Sequence, residues 1–279
     1  MEKSIKLSII TVCYNAEKVI EDTILSVLGQ TYQDIEYILV DGGSQDKTLQ
    51  IIEKYSQDER VRYISEPDEG IYDAMNKGGS LATGDYIQFL NAGDFLVNAT
   101  VIEDVICKIK EYSCDIVYGN IVYCYPDGSK KIRIYRQFCS GYFYYLLGDC
   151  INHQAIFARR ECIQENCFDT SYQICADREW MLRVKKQHKK YKALGMTICQ
   201  YSLDENSASI KSRKIYKEEA RRCVKKYLKA GYPLFWMVDK VRDGKVSALI
   251  LHTIYEILFI RKRQYDKGSR GKKWRRSTL

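Results

Sequence analysis

The sequence has no C-x-x-C pair, no glycine-rich phosphate loop and no apolar run of membrane-spanning length. Its 11 cysteines are odd in number and widely spaced, which argues against both a zinc site and a disulfide framework and points to a reducing cytosol. No segment reaches about 18 apolar residues without a charge, so no transmembrane span is expected. The N-terminus, MEKSIKLSIITVCYN, passes from charged residues straight into a strand pattern, without the apolar core of a signal peptide. The G-x-G-x-x-G fingerprint is missing after the first strand and no Walker loop occurs, which counts against a dinucleotide enzyme and a P-loop ATPase. Internal repeats and low-complexity linkers are also absent. What is present is 279 residues with 46% apolar content, enough for one large core or one core plus an appendage.

Charge is unevenly spread. Residues 211–279 hold 21 Lys and Arg against 6 Asp and Glu, or +15, which leaves −7 for residues 1–210 of a chain with net charge +8. The sequence therefore divides into residues 1–206 and a basic helical extension, residues 207–279. A nucleic-acid reader would interleave aromatic or polar side chains among those charges. Trp274 is too little, and no nucleic acid is expected. The apolar stretches Pro233–Val238 and Ala248–Ile260, bracketed by Lys and Arg, suit an interfacial helix on anionic membrane. They suit equally a helix packed on the body of the protein or on a second copy in a homodimer. The expected location is cytoplasmic, with peripheral contact at the inner face of the plasma membrane, and residues 268–279 are expected to be disordered.

Along the chain, Lys6–Val12 reads as a strand, followed by a helix with the stripe Val19, Ile20, Ile24, Val27 and Leu28, for which Asn15 is the expected cap. A second strand, Ile35–Val40, closes on Asp41-Gly42-Gly43, and Ser44 is the expected cap of a helix bearing Leu49, Ile51, Ile52 and Tyr55. Val61–Ile64 is a third strand. A helix Ile71–Leu81, a strand Tyr86–Leu90 and a helix Val101–Ile109 follow. Strands alternating with helices predict an α/β fold with a doubly wound, mostly parallel sheet. Beyond Asp115 the β-rich runs Ile116–Tyr125 and Lys131–Tyr135 flank Pro126-Asp127-Gly128, which predicts an added antiparallel hairpin. Further helices are predicted from Ala176, over Lys214–Lys229 and over Val246–Arg261.

In open α/β sheets ligands gather at the carboxyl ends of strands. Thr11 with Tyr14, Asp41, Asp68 with Asp73, and Asn91-Ala92-Gly93-Asp94 stand where the first four strands end. Together they would form a crevice with acceptors for a nucleoside and an acidic corner for a divalent cation.

These residues resemble a known family. Leu7–Val12, Tyr14-Asn15, Ser26-Val27-Leu28, Gln30-Thr31-Tyr32 and Val40-Asp41-Gly42-Gly43-Ser44, with Asp46 and Thr48, are similar to family 2 glycosyltransferases of the GT-A fold. Ser65–Gly78, Ala82-Thr83-Gly84-Asp85 and Asn91-Ala92-Gly93-Asp94 resemble a bacterial polysaccharide-biosynthesis branch. The likeness covers roughly residues 5–185 and leaves out the basic tail.

The resemblance implies an inverting enzyme that moves a sugar from a nucleotide-diphosphate donor, UDP-linked by expectation, to a hydroxyl of a lipid-linked or glycan acceptor. Thr11, Tyr14 and Asp41 would hold the nucleoside, with Asp73, Asn76 and Gly93 also on the donor side. Asp94 matches the last Asp of the family's D-x-D-type motif and would bind Mn2+ or Mg2+, with Gly93 standing where many members have the first Asp. Met75-Asn76 replaces an Arg-Asn pair, leaving Lys77 as a substitute donor contact. Asp177 matches the family's catalytic base, although a helix-start Asp also serves as a cap. Glu179 is the reserve base. His153 and Gln154 fall where acceptor- or donor-side residues lie, and Arg159, Arg160, Arg178 and Arg183 face either a phosphate or solvent. Outside this family, a nucleotidyltransferase acting on sugar phosphates would show a glycine near the first strand end, and Thr11–Lys18 has none. A binding module using the basic tail would bind without turnover.

Overall fold

The computed structural model describes residues 4–137, 141–203 and 213–242. Among these, nine strands form one sheet in the order β3-β2-β1-β4-β8-β6-β9-β5, with β7 on the edge of β6. Strands β1 (Leu7–Cys13), β2 (Ile35–Asp41), β3 (Val61–Ser65) and β4 (Tyr86–Phe89) are mutually parallel. Every residue of β1, β2 and β4 is buried, as expected of parallel strands covered on both faces by helices. Helices α1 (Ile20–Leu28), α2 (Thr48–Tyr55), α3 (Ile71–Leu81) and α4 (Val101–Tyr112) supply that cover. The approach of α3 to β1 needs a glycine, because a Cβ on Gly78 would stand 2.5 Å from Ile10 Cγ2.

The added piece is antiparallel where β8 (Ile156–Arg159) joins β4 to β6 (Ile116–Cys124), and where β7 (Lys130–Arg133) closes the hairpin. Three strands escape the sequence reading, β8 and two more. β9 (Tyr191–Ser202) lies parallel to β6, and the short β5 (Phe95–Leu96) pairs antiparallel to β9. β9 hides because Gly195 takes φ +72 and the register with β6 slips around Asn120, so no clean alternation survives. Its pairing with β5 matters most, since it fixes the loop that carries Asp94.

Both expected helix caps are wrong. Helix α1 starts at Ile20, whereas Asn15 sits in a left-handed turn (φ 48) and uses Oδ1 to accept from Gln45 N at 2.8 Å. Ser44 bonds back to Asp41, and the start of α2 is held by Asp46 Oδ1, which accepts from Thr48 N at 2.9 Å. In both cases the polar residue belongs to the turn that shapes the strand ends.

Helices α5 (Tyr142–Leu146), α6 (Arg160–Gln164) and α7 (Ala176–Lys185) precede α8 (Arg213–Tyr227) and α9 (Tyr232–Arg242). Within the basic extension, α8 lies on α7 and buries Ala220, Cys223 and Val224. Pro233–Val238 falls within α9, which buries Phe235 and Val238 and exposes Trp236. The helix expected over residues 246–261 and the disorder expected over 268–279 lie outside the described residues.

Candidate active site

The carboxyl ends of β1, β4 and β9 open on one cleft of about 600 Å³, lined by Tyr14, Asn91, Gly93, Asp94, Tyr201 and Ser202 together with His153, Gln154 and Asp177. The tail of β4 is locked first: Leu90 N donates to Ile10 O at 2.9 Å, and Thr11 Oγ1 donates to Leu90 O at 2.6 Å. Gly93 then turns the chain at φ +92, a region that L side chains rarely adopt. A turn of this kind favours glycine over an acid at position 93. We expect Gly93→Asp to cost about 1–2 kcal/mol of stability, the usual penalty for a left-handed non-glycine residue, and to confer no tighter metal binding. Thermal unfolding and Mn2+ titration check both halves.

Asp94 is 3% exposed. Its Oδ2 accepts from Gln154 Nε2 at 2.9 Å and its Oδ1 from Ser202 N at 3.3 Å. Burial raises its pKa to about 7, against the opposing influence of those two hydrogen bonds and of His153. Both hydrogen-bond donors are uncharged, so this oxygen site suits a hard divalent cation. Among the described residues no group of three His, Cys, Asp or Glu gathers around a common point. A cation at Asp94 would therefore draw its remaining ligands from substrate and water, the habit of Mg2+ with phosphates.

Asp177 lies in the first turn of α7. Its Oδ1 accepts from Arg178 N at 2.7 Å, and its Oδ2 stands 3.4 Å from His153 Nδ1. The preceding loop is held by α8, where the buried Glu219 accepts from Gln173 N at 2.7 Å, Ile174 N at 2.9 Å and Cys175 N at 2.9 Å. Sequence pattern gives no sign of this, because Glu219 lies within a basic helix. Hydrogen bonds to a charged group contribute about 1.5–3 kcal/mol each. Glu219→Gln is expected to lower Tm by several degrees, while Glu218→Gln on the exposed face leaves it unchanged, as measured by thermal unfolding.

Several expected site residues stand elsewhere. Thr11 is buried between Leu90 O and Tyr37 Oη, bracing β4 rather than facing the cleft. Asn76 is spent on both backbone groups of Phe168, accepting from N at 2.7 Å and donating to O at 2.9 Å. Glu179 is completely buried and bound by Arg183, Lys226 and Tyr227 Oη. It cannot share the cleft with Asp177, because two positions on a helix differ by about 200°.

Asp41 lies beneath the cleft rim, accepting from Ser65 Oγ at 2.6 Å and Ser44 N at 3.1 Å. Asp73 accepts from Glu69 N at 3.1 Å and pairs with Lys77. Lys77 is engaged further by Pro67 O and Glu66. Arg178 is buried, donating to Tyr145 O at 2.5 Å between the rings of Tyr145 and Phe235. Tyr14, by contrast, is 62% exposed on the rim, and its ring stands near Gly42 and Asp68. Tyr201 and Ser202 went unseen with β9, and Tyr216 of α8 also lines the cleft.

The sequence model of the family described as Glycosyl transferase family 2 matches residues 8–195. A PGL/p-HBAD biosynthesis glycosyltransferase of Mycobacterium tuberculosis is 34% identical over 180 residues, covering 63% of this chain and 68% of that protein. Glycosyltransferase GlyG of Streptococcus pneumoniae is 34% identical over 138 residues, covering 48% of this chain and 45% of its own. Among solved structures, Staphylococcus aureus TarS 1-349 in complex with UDP-GlcNAc superposes with a TM-score of 0.62 at 19% identity, over 78% of this chain and 65% of that one. The mannosyltransferase PcManGT of Pyrobaculum calidifontis, in complex with GDP-Man and Mn2+, gives 0.60 at 14% identity over 95% and 84%. At these identities the likeness is one of fold, the GT-A arrangement of sheet and helices.

Proposed function

Given that the chain belongs to glycosyl transferase family 2, we propose that it is an inverting enzyme transferring a sugar from a nucleotide-diphosphate donor, UDP-linked by preference, to a hydroxyl of a lipid-linked or glycan acceptor. The observation that carries this reading is the meeting of two carboxylates, Asp94 from the end of β4 and Asp177 from the start of α7, on one cleft. The UDP-GlcNAc and GDP-Man complexes of the structural neighbours support a nucleotide-sugar donor.

Each group then has one task. Tyr14 offers an exposed aromatic face for the base, the Asp41 turn and the Asp73 helix start shape the donor side, and Gly93 leaves the backbone open to the diphosphate. A Mg2+ or Mn2+ ion held by Asp94 would supply charge neutralisation for the departing nucleoside diphosphate. Asp177 accepts the acceptor hydroxyl's proton as that oxygen bonds to the anomeric carbon and the carbon–phosphate-oxygen bond breaks on the opposite side. A single displacement of this kind inverts the anomeric centre.

No helix among the described residues is long and apolar enough to cross a membrane. The α8 surface of Glu218, Arg221, Arg222, Lys225 and Lys226, in which Arg221 pairs with Asp239 and Lys226 reaches Glu179 while Arg222 and Lys225 stay exposed, supports peripheral contact with anionic lipid at the cytoplasmic face, where a lipid-linked acceptor would be met. A panel of nucleotide-sugars, assayed for nucleoside diphosphate release with and without Mn2+ or Mg2+, tests the reading. Metal-dependent release from one donor is the expected result. Failure of every donor in the presence of both ions would overturn it.

A further inference from the structure

We infer that His153 is the positioning residue for Asp177, holding its carboxylate through an Nδ1–H proton that Asn91 fixes on that nitrogen. The inference rests on Asp177 being the base. The carboxylate needs a second anchor: Oδ1 accepts from Arg178 N at 2.7 Å, but Tyr72 Oη, 3.5 Å from it, gives its own hydrogen to Ile174 O at 2.6 Å. Oδ2 faces His153 Nδ1 at 3.4 Å, and His153 Nε2 faces Asn91 Nδ2 at 3.0 Å.

An amide nitrogen only donates. With the amide in this orientation Nε2 carries the lone pair, and the ring proton belongs on Nδ1, directed at Asp177. Turning the Asn91 amide would reverse this, placing the ring proton on Nε2 and setting the Nδ1 lone pair against a carboxylate oxygen. The anionic neighbour thus selects the amide orientation, and Asn91 Oδ1 is left buried without a partner. The 3.4 Å contact is long, as such bonds commonly are before substrate binds.

The ring is held from behind. Asn152 Oδ1 accepts from Tyr123 Oη at 3.0 Å and also from Tyr135 Oη, while Gln154 O accepts from Gln88 Nε2 at 2.8 Å. Gln154 in turn touches Asp94. Adjacent residues of one short turn therefore contact both carboxylates of the cleft, so their separation is set by a segment anchored to β4 and β6. With Nδ1 carrying the proton and the Nε2 lone pair accepting from Asn91 Nδ2 at 3.0 Å, His153 has no free nitrogen to take the acceptor's proton. It aims the carboxylate so that Asp177 can.

The test begins with nitrogen-15 NMR of the full-length protein, the His153 signal assigned by its loss in His153→Ala. A neutral ring protonated on Nδ1, the less common tautomer of free histidine, is expected. Protonation on Nε2 would overturn the assignment, and this readout stands whether or not a donor is ever found. Kinetics then separate positioning from binding. His153→Ala should lower kcat by about 10- to 100-fold, the loss of one hydrogen bond to a charged group, with donor KM unchanged. His153→Asn, which keeps an N–H near the Nδ1 position, should recover most of that loss, whereas His153→Gln should not. A raised donor KM at unchanged kcat, or equal activity in all three variants, would also overturn it.

Discussion

Asp177→Asn should bind the nucleotide-sugar as tightly as the wild type yet transfer it roughly 10² to 10⁴ times more slowly, the usual contribution of a positioned general base. The side chain touches His153 rather than Asp94 and does no work until the acceptor hydroxyl attacks, so the donor complex should not register the change. Asn also preserves the acceptor oxygen toward Arg178 N, which keeps the first turn of α7 in place. Glu179→Gln makes the contrasting case. Its buried oxygens are bound by Arg183, Lys226 and Tyr227, and the amide would leave the Arg183 and Lys226 cations with a weaker partner. A lower melting temperature is expected there, with any loss of rate following the loss of folded protein. Single-turnover transfer with a saturating donor separates the two. A fully active Asp177→Asn beside a folded but inert Glu179→Gln would reverse the assignment.

The pair also shows where sequence reasoning works and where it stops. Asp177 and Glu179 look alike in sequence, two acids in one helical turn, and only the helix's rotation relative to the sheet puts one in the cleft and the other under α8. The parallel strands were legible because burial on both faces writes runs of β-formers without strict polar alternation, such as Leu7–Val12. The β4 strand end and Asp94 were legible because ligands collect at such ends. β9 was not, because its bulge at Gly195 and the charged Lys192 erase the alternation. With β9 went Tyr201, Ser202 and the β5 pairing that holds Asp94. Thr11 and Asn76 carry the family pattern for a different physical reason, as braces of β4 and of the Phe168 loop. Glu219 was invisible, since a carboxylate that gathers three backbone N–H groups from a distant loop leaves no local signal.

Asp94→Asn should abolish most turnover and metal-dependent nucleotide binding together, because a neutral amide cannot offset a divalent charge. The same substitution should make the ligand-free protein more stable at alkaline pH. Burial lifts the Asp94 pKa from 3.8 to about 7, so between those values the folded state keeps a proton that the unfolded chain has released. Stability therefore falls as pH rises through this window. A shift of that size corresponds to at most about 4 kcal/mol. Asn does not titrate, and its amide finds an acceptor if Gln154 turns, since Gln154 Oε1 is buried without a partner. The two melting curves should coincide near pH 4 and separate by pH 8, with the variant higher. Adding Mn2+ and nucleoside diphosphate should raise the wild-type Tm, by giving the ionised carboxylate its counter-charge, and leave the variant unmoved. Equal metal-dependent stabilisation of both proteins would take the cation away from Asp94, and parallel melting curves across that pH range would remove the buried proton.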